Sequence, residues 1–218
     1  MKTTLLILLA AATLARAADP QKATEFWQQS LTAETNGDYK AALESVLSFK
    51  SAGGETYLAA VRAGWLSYLD KDYDKAVQFY TAAARQEPRA LTPHLGLTHT
   101  YLVQQKPEET LRAAKAGLGI DQFNFKLLLI AGELLFNQGD YRKAETYFDR
   151  AHHQQPEDPI AMSWLGWSQI GAGQPRLAAP VFEKLMQINP DGYLVREGYA
   201  VTHGPPPGGP GGGPPPRR

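Results

Sequence analysis

The sequence predicts an all-α fold, a solenoid of about five helix-turn-helix hairpins closed by a short C-terminal capping helix. Three observations predict it. A 34-residue period runs unbroken through most of the 218 residues. Two columns of that period hold only small side chains. A third column ends almost every second helix with a breaker.

The period is read from a recurring signature. Asn36-Gly-Asp-Tyr-Lys-Ala41 returns as Asn137-Gln-Gly-Asp-Tyr-Arg-Lys-Ala144, and its core returns as Asp72-Tyr-Asp-Lys-Ala76. Aligning Ala42, Ala76 and Ala144 gives five gapless blocks, 23–56, 57–90, 91–124, 125–158 and 159–192. The eighth position reads Ser30, Gly64, Thr98, Gly132, Gly166 and the twentieth Ala42, Ala76, Thr110, Ala144, Ala178. Small residues there let two helices of a hairpin cross closely. Position 24 (Val46, Tyr80, Ala114, Phe148, Phe182) is mostly bulky and fills the space beside the crossing. Position 32 (Gly54, Pro88, Gln122, Pro156, Pro190) stops the second helix.

The ends of the elements follow from local chemistry. Asp19-Pro20, Thr92-Pro93 and Asp158-Pro159 each offer an N-cap side chain followed by proline at the first helical position. Pro107 and Pro175 open second helices, while Gly37, Gly139 and Gly173 fall in the tight turns. Pro180 lies inside a second helix, which it should bend. Residues 193–203 are expected to form an amphipathic cap over the open end of the stack, weakened by Gly198.

Both chain ends differ from this domain of residues 18–203. Lys2, the apolar run from Leu5 to Ala15 and the Ala15-Arg16-Ala17 pattern make residues 1–17 a signal peptide cut before Ala18. The run is too short to span a membrane, so no stable membrane insertion is expected. Export is expected, to the bacterial periplasm, with secretion as the alternative. Residues 204–218 hold seven Pro, six Gly and two Arg, a composition that cannot bury a core and implies disorder with polyproline II stretches.

Composition narrows the function. Lys and Arg number 22 against 22 Asp and Glu, which gives no electrostatic case for nucleic acid. The absence of cysteine excludes a disulfide framework, a thiol nucleophile and Cys-based metal sites. His152 and His153 are adjacent on a helix and diverge by about 100°, while His94 and His99 diverge by about 140°, so neither pair chelates one ion. No HExxH, phosphate-cradling glycine loop or GxSxG is present. The acid pairs Glu108-Glu109 and Glu157-Asp158 sit near helix starts, where they complement the helix dipole. No catalytic residue, metal site or cofactor is expected, and an enzyme is not expected.

The period, the small residues at positions 8 and 20 and the terminal prolines resemble the tetratricopeptide repeat. Departures are Gln29 where the family prefers Leu, Gly54 and Gln122 for the terminal proline, and Phe49 and Leu185 at a usually small position. The resemblance implies a right-handed α-α superhelix whose first helices line a concave face through block positions 2, 5, 9, 12 and 13. Read onto this chain, it implies a partner-binding groove built from Trp27, Leu31, Val61, Trp65, Tyr68, Leu95, His99, Leu102, Leu129, Phe136 and Trp167. Trp65, Tyr68, His99, Phe136 and Trp167 are expected to be exposed there. Leu58, Leu69, Val103 and Ile170 are left open between core and lining. The family members that hold acidic C-termini of heat-shock chaperones use Lys, Asn and Arg at lining positions. Trp27 and Leu31, or Val61 and Trp65, cannot coordinate a carboxylate in that way.

The expected function is an exported, non-enzymatic scaffold that binds a peptide or helix of a protein partner in an apolar, aromatic groove. Two alternatives are carried with it: a self-associating subunit of a larger envelope complex, and an accessory domain whose aromatics stack on carbohydrate.

Overall fold

The Asp-Tyr pair of the recurrent signature starts a helix wherever it occurs. In the computed structural model, which describes residues 18–192 and 194–204, the backbone N–H groups of Ala41, Lys75 and Lys143 donate to the carboxylates of Asp38, Asp72 and Asp140 at 3.0, 3.2 and 3.4 Å. Each aspartate thereby satisfies an N–H that the first helical turn leaves orphaned. Lys75 and Lys143 return to Asp72 and Asp140 as ion pairs, both at 2.6 Å, and hold those carboxyls below their usual range.

Eleven α-helices follow one another among the described residues, with no strand. They are α1 Pro20–Thr35, α2 Tyr39–Ser51, α3 Thr56–Leu69, α4 Tyr73–Gln86, α5 Leu91–Val103, α6 Pro107–Leu118, α7 Phe125–Asn137, α8 Tyr141–Gln154, α9 Pro159–Gly171, α10 Pro175–Ile188 and α11 Val195–His203. Every helix packs on the one before and the one after it. The wider contacts, α3 with α5, α7 with α9 and α9 with α11, join odd-numbered helices. The row of first helices therefore lies closer together than the row of second helices, which places it on the inside of the curve.

Asp19 and Asp158 cap α1 and α9, each with proline at the first helical positions, as the sequence leads one to expect. Thr92 does not act this way. The helix begins one residue earlier, at Leu91, so the N-cap is Ala90, whose side chain accepts nothing. Pro93 then falls in the first turn, where a missing N–H is harmless, and it is buried. Lys106 precedes α6 and also gives no side-chain cap, which leaves Pro107 to open that helix alone. Pro180 lies inside α10 on its exposed side.

The turn inside each hairpin uses one residue with positive φ: Gly37, Lys71, Gln105, Gly139 and Gly173, at φ 76, 62, 56, 81 and 78°. These five are 34 residues apart. Three are glycine, for which this region is free; Lys71 and Gln105 carry a Cβ into it at a cost of about 1 kcal/mol each.

The core repeats one interlock. At position 8 a Cβ added to Gly64, Gly132 or Gly166 would come within 2.8, 2.7 and 2.6 Å of the rings of Tyr80, Phe148 and Phe182. Those rings stand sixteen residues later on the second helix of the same hairpin. Where position 8 is larger, its partner is smaller: Ser30 faces Val46, and Thr98 faces Ala114, all four buried. Bulk is thus traded across the crossing, fully where glycine meets a ring and less fully at Thr98 with Ala114.

The cap over the last hairpin forms as expected. Val195 is buried against Met162, Phe182 and Leu185, and α11 occupies the place a next first helix would take. Gly198 has a role beyond weakening the helix. A Cβ there would lie 2.1 Å from the Phe182 ring, so the ring is held between Gly166 and Gly198. At the helix end, His203 stacks on Tyr199 at 4.2 Å and its Nε2 lies 2.8 Å from Glu183 of α10. Residues 1–17 and 205–218, read above as signal peptide and tail, lie outside the described residues.

Candidate functional site

The inner face is built from the outward-facing positions of α1, α3, α5, α7 and α9. Helix α3 is apolar almost all round, with Ala59, Ala63 and Leu66 buried, and it leaves Leu58 and Trp65 in solvent. Helix α5 repeats this with Leu102 and Val103. Leu31, Leu58, Trp65, Leu102 and Val103 are 37–44% exposed, an unusual grouping of large apolar side chains in contact with water. Leu58 and Val103, left open by the sequence, are thus on the surface. Ile160 adds a sixth exposed position on α9.

Of the eleven expected lining residues, Leu31, Trp65, His99 and Leu102 are exposed. Trp27, Val61, Tyr68, Leu95, Leu129 and Phe136 are half-buried. Phe136 is tied into the layer beneath by edge contacts with Tyr141 and Trp164, both at 5.0 Å. Trp167 is the correction. It is only 3% exposed and meets Phe182 edge-on at 5.7 Å. It belongs to the buried cluster of Met162, Ala178, Phe182, Leu185 and Val195, so the side chain that the repeat register alone would leave open is core. On the first helices, the large exposed apolar side chains therefore fall on α1, α3 and α5, with Ile160 apart on α9; others, such as Leu47, Phe123 and Leu177, lie off the first helices.

Trp65 is held in place by a polar network. Its indole N–H donates to Glu34 Oε1 at 2.8 Å. Glu34 Oε2 lies 2.8 Å from Arg62 Nη2, and Arg62 Nε donates to the buried Ser30 hydroxyl at 2.9 Å. The Arg62 guanidinium also sits 5.0 Å above the Trp27 ring, which itself packs on Phe49 at 5.1 Å. A guanidinium over indole is attractive, and its fork suits both neighbours at once. Arg62 was absent from the sequence-derived set because it stands one position from the lining column. Its distance to Glu34 in sequence hid the pairing.

Beside Trp65 runs an aromatic row. The rings of Trp65 and Tyr68, one helical turn apart, lie 6.0 Å apart with planes only 14° from parallel. Tyr73, the first residue of α4, continues the row at 5.7 Å from Tyr68. On α5, His99 has its pKa lowered by partial burial and then by the positive charge of Lys126. It is therefore a neutral hydrogen-bonding group at neutral pH. Among the described residues no group of three or more His, Asp or Glu side chains is placed to hold a metal ion. No helix there is long and apolar enough to cross a membrane.

Comparison with known proteins agrees with this architecture. Residues 131–200 match the family model described as tetratricopeptide repeat. The outer dynein arm-docking complex subunit 4 of Xenopus laevis is 28% identical over 108 residues, half of this chain. The chain spans only a fifth of that relative's length. Among solved structures, the crystal structure of MamA superposes with a TM-score of 0.67 at 13% identity, covering 78% of this chain and 92% of that one. A tetratricopeptide repeat protein from Parabacteroides merdae gives 0.69 at 19% identity, covering 84% and 73%. YrrB, described as having an unusual peptide-binding site, gives 0.65 at 16% identity, covering 80% and 91%. At these identities the likeness concerns the fold. The fold throughout is that of these tetratricopeptide-repeat solenoids, and the family model matches from the middle of α7 into α11.

Proposed function

We propose that the chain is an exported, non-enzymatic scaffold that grips an apolar peptide or helical segment of another protein on its inner face. The observation that carries this reading is the stripe Leu31, Leu58, Trp65, Leu102 and Val103, exposed together on the first helices of three successive hairpins. A surface of that kind in water loses free energy when covered, at roughly 25 cal/mol for each Å² of apolar area buried. Trp65 is the expected anchor, since a large aromatic fixed in orientation gives up little freedom on binding. Glu34 supplies that fixation. Peptide binding by YrrB, a structure of the same fold, supports the class of function without identifying a ligand. Export rests on the character of residues 1–17.

The proposal is tested by crosslinked affinity capture with the intact chain beside a Trp65→Ala/Leu102→Ala variant of unchanged helicity. The expected result is a protein captured by the former, identified by mass spectrometry, and lost by the latter. Binding should survive salt of about 0.5 M, because little of it depends on screened charge. Equal capture by both chains overturns the inner-face site.

A further inference from the structure

We propose that the row Trp65, Tyr68 and Tyr73 is a docking surface for polyproline II chain, and that its occupant is residues 205–218 of this same chain. The inference rests on the inner-face reading, because Trp65 belongs to both.

Ring geometry comes first. The Trp65 and Tyr68 rings, with centroids 6.0 Å apart and planes 14° from parallel, and Tyr73, tilted by 58° beside Tyr68, form a continuous aromatic ledge. A polyproline II strand has three residues per turn and needs no internal hydrogen bonds, so it lays flat pyrrolidine faces against such a ledge with little ordering cost. Glu34 holds the Trp65 indole N–H at 2.8 Å and so fixes the exposed end of the ledge.

The occupant follows from sequence, length and charge. Three consecutive prolines occur twice in the chain, at 205–207 and 214–216, and nowhere else. The tail departs from an anchored point, the last turn of α11, which His203 ties to Glu183 at 2.8 Å. From α11 back to α3 there are four steps between first helices; at roughly 8–10 Å each they sum to about 32–40 Å along the row, and less across the curve. The twelve residues 205–216 extend about 37 Å as polyproline II. The nine residues before the second triplet span about 28 Å and its last proline reaches about 37 Å, so the end of that triplet meets the Trp65 row by the shorter path across the curve. It is followed by Arg217 and Arg218, with no acid in the segment. The turn beside Tyr73 carries Asp70, Asp72 and Asp74 against Lys71 and Lys75, a net charge of one negative, opposite in sign to that basic end.

A tail of this length keeps its own ligand at an effective concentration on the order of 1 mM. Any partner peptide that binds the row more weakly than this would be excluded until the tail is displaced. The tail thus sets a threshold for partners at the inner face.

The test compares the intact chain with one in which the prolines of 205–207 and 214–216 are replaced by serine, after far-UV circular dichroism shows equal helicity. Indole N–H signals of Trp27, Trp65, Trp164 and Trp167 are followed by 15N NMR and assigned with single Trp→Phe variants. The expected result is a shifted Trp65 signal and increased acrylamide quenching of Trp65 in the serine chain, with Trp164 and Trp167 unchanged and no dependence on protein concentration. A synthetic peptide of residues 204–218 added to the serine chain should restore the original Trp65 position. An unmoved Trp65 signal overturns the proposal, as does a peptide that restores nothing. A shift that disappears on dilution overturns the intramolecular assignment and gives the surface to the tail of a second copy. Failure here leaves the inner-face function standing, because that is read separately by capture with the Trp65→Ala/Leu102→Ala chain.

Discussion

Replacing Gly132 by alanine probes the interlock between paired helices directly. The added Cβ would stand 2.7 Å from both Cε1 and Cζ of Phe148. Carbon atoms are comfortable at about 3.5–4.0 Å, so the ring must retreat by roughly 1 Å. It has no room: Phe148 is fully buried and stacked on Trp164 at 5.6 Å with planes 8° apart. Overpacking of this kind costs about 1–3 kcal/mol, against about 1 kcal/mol gained by removing glycine from a helix interior. Gly132→Ala should therefore destabilise by about 1 kcal/mol. Phe148→Leu alone should also destabilise, through the space it leaves. Combined, the alanine methyl fills part of that space, and the double variant should be at least about 1 kcal/mol more stable than the sum of the two singles. Urea unfolding followed by far-UV circular dichroism and by tryptophan fluorescence measures this, with coincident curves required before free energies are compared. Additivity within about 0.5 kcal/mol would refute the interlock, as would a Gly132→Ala chain stabilised by its full helix-propensity gain.

Three further outcomes follow from other parts of the structure. Gly139 has open space around it at φ 81°, so Gly139→Ala should cost about 1 kcal/mol from backbone strain alone, whereas Lys71→Gly relieves the same strain and should be neutral to slightly stabilising; the urea midpoints of the two variants must move apart in that order. Glu34→Ala leaves Arg62, whose side chain is 11% exposed, without its carboxylate, and should cost about 1.5–3 kcal/mol while increasing acrylamide quenching of Trp65; unchanged stability and quenching would remove Glu34 from the role of clamp. Burial lowers the pKa of His94, His99 and His152 below 6.5, so the unfolded chain takes up these protons first and the fold loses stability as pH falls from about 6.5 toward the depressed folded values. Urea midpoints at about pH 7.5 and 5.5 should decrease in that order, and His94→Gln should narrow the gap; a midpoint that rises on acidification contradicts the assignment.

The hairpins were legible in the sequence because each needs the same few things at the same places. Small residues at the crossing, an aspartate or proline at a helix start and a glycine in the turn all recur at 34 residues, and each has a local physical cause. What the period could not reveal was anything that breaks it. Trp167 occupies the same column as Trp65, yet Trp167 is buried edge-on against Phe182 while Trp65 stays exposed with its indole N–H turned to Glu34. Periodicity assigns equivalent places; neighbours decide solvent access. Ala90 illustrates a second limit: Thr92-Pro93 is a good local start signal, but α5 already begins at Leu91. The Arg62–Glu34–Trp65 network was hidden for a third reason, since it forms between hairpins rather than within one.

The third hairpin gathers several weak joints. Neither α5 nor α6 has a side-chain cap, Gln105 carries a Cβ at φ 56°, and Ala114 stands where the hairpins on either side place Tyr80 and Phe148. Each shortfall is small, but they coincide midway along a structure whose units touch only their neighbours. An array of that kind does not fail uniformly. Its weakest unit opens first and divides it into two cooperative segments, so backbone amides of α5 and α6 should exchange with solvent faster than those of α3 or α8. The same unit supplies Leu102 and Val103 to the exposed stripe. A scaffold softened there can flex its curvature under a bound segment while the clamped Trp65 on one side and the capped aromatic end on the other keep their shape.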